Sequence, residues 1–127
     1  MNKEEKTIEE TLELAKKVLD EHKGENITEI NVEDYTPFAT YYLLATCLNP
    51  RQLSAMRDYL EEAFESNGIE ITGKDGEPES GWMIIQGGEV AVHLFLAVNR
   101  KEIDLEGFMV EMAQKVEKAR RPSRAKK

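Results

Sequence analysis

The segment Trp82-Met83-Ile84-Ile85-Gln86, then Gly87-Gly88, then Glu89 to Leu96, leaves fewer ways to fold than any other stretch of this chain. Two apolar runs flank a glycine pair, and a two-residue glycine loop suits the primed turns that close a β-hairpin. With Gly87-Gly88 as the loop, Gln86 opposes Glu89, Ile84 opposes Ala91 and Trp82 opposes His93, all on one face because strand side chains alternate. The opposite face carries Met83, Ile85, Val90, Val92, Leu94 and Leu96, all aliphatic or thioether, and is read as core. The first face mixes Trp82, Ile84, Ala91 and Phe95 with Gln86, Glu89 and His93.

The rest of the chain supplies elements to cover such a sheet. Thr7 with Glu10 reads as a capping box, in which each side chain satisfies a backbone N–H that the helix start leaves unpaired. Ile8, Leu12, Ala15, Val18 and Leu19 then recur at helical spacing, and Gly24 is the expected left-handed terminator. Ile27 to Val32 follows as a strand with Thr28, Ile30 and Val32 on one side. After a turn containing Pro37, the run from Tyr41 to Thr46 is apolar without alternation, the pattern of a central strand covered on both faces. Asn49-Pro50 combines an N-cap with proline at the first helical position. Leu53, Met56, Leu60 and Phe64 mark the buried stripe of this second helix, which Asn67-Gly68 closes. Ile69 to Thr72 suits a short strand, and Gly73 to Gly81 reads as an exposed loop. A final helix is expected from Asp104, with Leu105, Phe108, Met109, Met112 and Val116 at helical spacing, fading into a basic tail near Arg121-Pro122.

At 127 residues the chain suits one domain, expected over residues 1–119, with residues 120–127 as a basic disordered tail. The formal charge is −8, yet Arg120, Arg121, Arg124, Lys126 and Lys127 put +5 at the end, which leaves −13 on the body. A body that acidic is repelled by bare phosphate, so it is not expected to bind nucleic acid directly, whereas a basic protein partner is attracted. No apolar run approaches a membrane span, and the charged N-terminus lacks the apolar core of a secretory signal, so a cytoplasmic location is expected. Cys47 is the only cysteine. No internal disulfide is possible, which agrees with a reducing compartment, and Cys47 is read as a buried structural thiol.

Candidates for catalysis are few. His22 and His93 are the only histidines, they fall on different elements, and no Cys or His pair has metal-ligand spacing. The hairpin register places no serine or cysteine nucleophile beside His93. No catalytic residue, metal or cofactor is expected.

The order helix, strand, Tyr-rich strand, Arg-Gln helix start, tryptophan hairpin and Leu-Glu helix resembles the Iojap-like ribosomal silencing factors over roughly residues 8–109. The most specific pieces are Ala39-Thr40-Tyr41-Tyr42, Arg51-Gln52 at the second helix, Trp82-Met83-Ile84-Ile85, and Gly88-Glu89-Val90-Ala91-Val92-His93-Leu94-Phe95, together with Arg100 and Leu105-Glu106. Thr40 and Gln86 stand where the family has aspartate, Cys47-Leu48 replaces its Gly-Asn, and Met109 replaces a tryptophan. The resemblance implies an α/β fold with a mixed, roughly five-stranded sheet flanked by helices, of nucleotidyltransferase-like topology without the catalytic motif. It implies a homodimer that binds the fourteenth protein of the large ribosomal subunit and sterically blocks docking of the small subunit, repressing translation when nutrients are short.

The first face of the hairpin is where that implied docking is expected. Trp82, Ile84, Gln86, Glu89, His93 and Phe95 have the anatomy of an interface hot spot, an aromatic anchor with a polar rim. The other reading is that the last helix covers this face and Trp82 is core. Arg100 is a further candidate, paired with an acid either in its own chain or across an interface. Arg51 and Gln52 read as residues that decorate and cap their helix. Two further hypotheses remain. A small nucleotidyltransferase-like enzyme needs paired carboxylates on a strand beside a Gly-Ser turn, and Glu33-Asp34 lacks that turn. A dimeric scaffold without a ribosomal partner predicts self-association alone.

Overall fold

The computed structural model describes residues 7–120, with side chains through residue 115. Helix α1 (Ile8–Glu21) begins at the expected capping box: the Glu10 N–H donates to Thr7 Oγ1 at 3.0 Å and the Thr7 N–H to Glu10 Oε1 at 2.9 Å. Its far end differs from expectation. Lys23, with φ 70°, takes the left-handed position, and the Gly24 N–H donates back to Leu19 O at 2.7 Å. Gly24 is there for space, since a Cβ would sit 3.1 Å from Leu19 O. Helix α2 (Pro50–Ser66) starts as read, with the Gln52 N–H donating to Asn49 Oδ1 at 2.8 Å and Pro50 in the first turn.

The strands are β1 (Glu25–Asn31), β2 (Tyr41–Cys47), β3 (Ile71–Asp75), β4 (Trp82–Gly87) and β5 (Val90–Leu96). They form one mixed sheet in the order β1-β2-β5-β4-β3, with β2 and β5 parallel and the other neighbours antiparallel. The α/β class and the five strands match the expectation, and β2 is interior as its unbroken apolar run requires. β3 runs further than expected. Gly73 to Asp75 pair with Gln86 to Ile84 rather than looping out, and a register shift after Ile71 hides the alternation.

One face of the sheet is covered by α1 and α2. Leu12, Ala15, Leu19, Leu53, Met56, Leu60 and Phe64 pack there on Leu43, Met83, Ile85, Val92 and Leu94, every one of them buried. This is the all-apolar hairpin face read from the sequence. Burying a side chain of this size removes about 1.5–3 kcal/mol worth of apolar surface from water, so this layer dominates stability. Cys47 lies in the same layer, 3% exposed, with its thiol pushed up to about 11 by burial.

The opposite face is covered only in part. Helix α3 (Ala97–Ile103), which no periodicity announced, has neither a side-chain cap nor a buried residue. Asp104 then turns the chain with φ 50°, and its Oδ1 accepts from the Gly107 N–H at 3.1 Å to start α4 (Leu105–Arg120). α4 covers the β1–β2 side, where Met109 is buried with Val32, Ala39 and Ala91, and Leu105, Ile30 and Tyr42 pack around them. Arg120 is thus helical, and residues 121–127 of the expected tail lie outside the described residues.

Candidate functional site

The hairpin register differs from the one read above. Gly87 pairs with Val90, Gln86 with Ala91, Ile84 with His93 and Trp82 with Phe95, so the turn is Gly88-Glu89. Gly88 has φ 55°, as the primed turn with glycine first requires. The choice between two adjacent glycines is made from below: a Cβ on Gly87 would lie 2.7–2.9 Å from three ring carbons of Phe64, so Gly87 is the glycine that must lie flat in the strand. Because the slip is even, every strand residue keeps its assigned face. Glu89 alone leaves the face. It sits exposed in the turn, where its carbonyl accepts from the Thr40 and Tyr41 N–H groups at 2.8 and 3.2 Å and its carboxylate accepts from the Thr40 hydroxyl at 3.3 Å.

On the uncovered half of the sheet, Trp82, Ile84 and Gln86 are half-buried while His93 and Phe95 lie beneath them, 6% and 0% exposed. The Trp82 ring stacks on Phe95 at 5.3 Å and 22°, and its Nε1–H donates to His93 Nδ1 at 3.1 Å. On its other side the His93 ring lies 4.5 Å from that of Tyr42. Burial pushes the His93 pKa down to about 4, so the imidazole is neutral at ordinary pH. Since Nδ1 accepts, the proton is on Nε2, which is buried with no hydrogen-bond partner among the described residues.

Gln86 Nε2 donates to Phe38 O at 2.7 Å and to Gly88 O at 3.0 Å, tying the segment before β2 to the hairpin turn. That segment presents Phe38, 78% exposed, at the end of the face. Phe38 is a surface aromatic that the reading of the sequence missed. An aromatic residue directly after Pro37, in a polar turn, was the available signal for Phe38.

Arg100 has its acid in its own chain. Its Nε and Nη2 donate to the two oxygens of Glu106 at 3.2 and 2.7 Å, Nη1 to Asn26 O and Thr46 Oγ1 at 2.7 and 2.9 Å, and Nη2 also to Thr28 Oγ1 at 2.9 Å. A guanidinium has five N–H donors, and these five bonds use them all. Arg100 therefore locks the α3–α4 corner to β1 and β2 and has no donor left for a partner. Gln52 is also internal: its Nε2 donates to His22 O at 3.2 Å and its Oε1 accepts from the Leu48 N–H at 2.7 Å, while Arg51 stays exposed.

Nothing here assembles a reaction centre. Glu33 and Asp34 lie exposed in the turn after β1, and no group of three or more His, Cys, Asp or Glu among the described residues is placed to hold a metal ion. No helix among the described residues is long and apolar enough to cross a membrane. Fold and surface together define a small α/β protein with half-buried aromatic side chains on one face of its sheet.

Its family is identified by sequence comparison: residues 5–127 match the RsfS family, described as "Ribosomal silencing factor during starvation", and the chain belongs to that family. This is a regulatory family and not one of enzymes. The chain is 28% identical over 99 residues to the ribosomal silencing factor RsfS of Chromobacterium violaceum, covering 78% of this chain and 81% of that protein. It is 28% identical over 97 residues to the chloroplastic protein Iojap of Arabidopsis thaliana, covering 76% of this chain and 40% of that one. A crystal structure of a Chromobacterium violaceum protein has the same fold, with a TM-score of 0.77 at 27% identity over 81% of this chain and 86% of that chain.

Proposed function

We propose that this protein is a ribosome-associated silencer of translation that docks through the Trp82 face on the fourteenth protein of the large subunit and so keeps the small subunit from joining. Family membership supports the ribosomal role. The observation that carries the docking site is the division of the hairpin face: Phe95 and His93 are buried, while Trp82, Ile84 and Gln86 are only half-buried and lie beyond the reach of α4. Interfaces concentrate their energy in such aromatic anchors seated on a rigid, dry support. In this reading Glu89 and Phe38 form the rim, and Arg100, on the same face of the sheet, holds the α3–α4 corner against β1 and β2. The charge of −13 on residues 1–119 favours a basic protein over bare RNA as the first contact.

A homodimer belongs to the same reading. Val110 on α4, 59% exposed beside Thr28 and Ile30 at the β1 edge, supports an interface separate from Trp82, which lies three strands away on β4.

The test is cosedimentation with purified large subunits, followed by addition of small subunits and measurement of full ribosomes. Cosedimentation with reduced joining is expected. Trp82→Ala should weaken binding by about 2 kcal/mol, roughly thirtyfold. Its melting temperature should fall by less than that of a core truncation, which costs about 3–5 kcal/mol. Self-association without cosedimentation would replace this reading with that of a dimeric scaffold.

A further inference from the structure

We propose that His93 is the positioning residue of the docking surface: its Nδ1 holds the Trp82 indole with the N–H edge turned into the protein, so that a partner meets only the carbon edge of the ring. This rests on the Trp82 face being the docking site.

Two contacts together leave the ring one orientation. Stacking on Phe95 at 5.3 Å and 22° sets the plane of the indole. A stacked plane still allows a half-turn that would exchange the polar and carbon edges. The hydrogen bond from Nε1 to His93 Nδ1, at 3.1 Å, excludes that half-turn.

The choice of histidine at this position is itself informative. His93 is 6% exposed, between Ile84 on β4 and Leu44 on β2, with Tyr42 at 4.5 Å. An aliphatic residue would pack there without leaving a polar atom stranded, whereas histidine leaves Nε2–H buried with no hydrogen-bond partner among the described residues. An orphaned donor is a net cost to folding. What the imidazole supplies in return, and leucine or phenylalanine does not, is an acceptor under the indole. Burial keeps that acceptor available by holding the ring neutral.

The consequence concerns specificity. With its one polar atom consumed internally, Trp82 offers no hydrogen bond to a partner. The group that fits against this carbon edge is apolar, such as the aliphatic stem of an arginine or lysine on a basic protein.

The chain has one tryptophan, so the indole N–H resonance in a ¹⁵N-labelled sample reports Trp82 alone. His93→Leu removes the acceptor and the orphaned donor together, and His93→Asn keeps an acceptor near the place of Nδ1. The wild type should give one indole resonance that exchanges slowly with solvent. In His93→Leu the exchange should quicken at least tenfold, with an unchanged or higher melting temperature, and affinity for large subunits should fall roughly three- to tenfold as the ring loses its preset orientation. His93→Asn should restore slow exchange and part of the affinity. Unchanged indole exchange in His93→Leu overturns the positioning role, and so does faster exchange with undiminished binding. A wild type that fails to bind large subunits removes the docking reading and the specificity role with it, and the exchange data then show whether the His93 contact itself was correctly assigned.

Discussion

Replacing Arg100 with methionine keeps an unbranched stem of similar length and deletes the guanidinium. The wild-type side chain is 11% exposed and makes five hydrogen bonds, two of them a forked pair with the Glu106 carboxylate. Not all of that is lost on substitution. Glu106 is 37% exposed and rehydrates, and the Thr28 hydroxyl already donates to Asn26 O at 3.1 Å, so those two groups keep a partner. The Thr46 hydroxyl, on a residue 6% exposed, is left buried without its donor. Such an orphan costs about 1–3 kcal/mol, and the forked ion pair adds about 1 kcal/mol after discounting for solvent at Glu106. The sum is about 3 kcal/mol, at the low end for breaking a buried pair. Urea unfolding would register it as a midpoint lowered by on the order of 1–3 M at an unchanged slope. Arg100→Lys, which keeps the charge but not the fork, should recover less than half. A loss below about 1 kcal/mol for Arg100→Met would refute the reasoning and show that the α3–α4 corner is held by packing alone.

Stability should fall between pH 6.5 and 4 through His93. Its pKa drops from 6.5 to about 4 on folding, so the unfolded chain takes up the proton first; the contribution is complete above pH 6.5 and is lost as pH falls through the folded value. It amounts to about 3 kcal/mol. The difference in urea midpoint between wild type and His93→Leu should therefore grow in the variant's favour from pH 7 to pH 5, and a constant difference would count against it. Gly87→Ala should cost about 1–3 kcal/mol by forcing the Phe64 ring aside, seen as a melting temperature lower by on the order of 5 °C or more; Gly73→Ala, whose Cβ would have its nearest neighbour at 3.8 Å, is the control that should lose less. Cys47, with its thiol near 11 and 3% exposed, should react with a thiol reagent in native buffer only as fast as the protein opens, and labelling within seconds would contradict its burial.

How much of this was legible follows from the range of the interactions involved. The capping box at Thr7 and Glu10, the N-cap at Asn49 and the buried stripes of α1 and α2 are set by residues three or four apart, and all formed as read. The two faces of the hairpin were legible because strand alternation survives an even slip in register. The register itself was not: either glycine of the pair suits a tight turn, and only Phe64, more than twenty residues away, requires Gly87 in the strand. Helix α3 buries no residue and has no side-chain cap, so it left no periodic trace. The resemblance singled out Arg100, but its five bonds run to β1, β2 and α4, and no local pattern encodes such convergence.

The same division holds for the candidate site. The sequence alone determined that the hairpin carries one wholly apolar face and one mixed face containing Trp82 and His93, because side-chain chemistry and the alternation of strands suffice for that. Only the tertiary structure decided that α4 stops over β1 and β2, that Phe95 and His93 are buried while Trp82 is only half-buried, and that Phe38 stands exposed at the end of the face. Those outcomes depend on where a helix anchored by Arg100, Asp104 and Met109 comes to rest on the sheet, a long-range packing balance that no short window of residues contains.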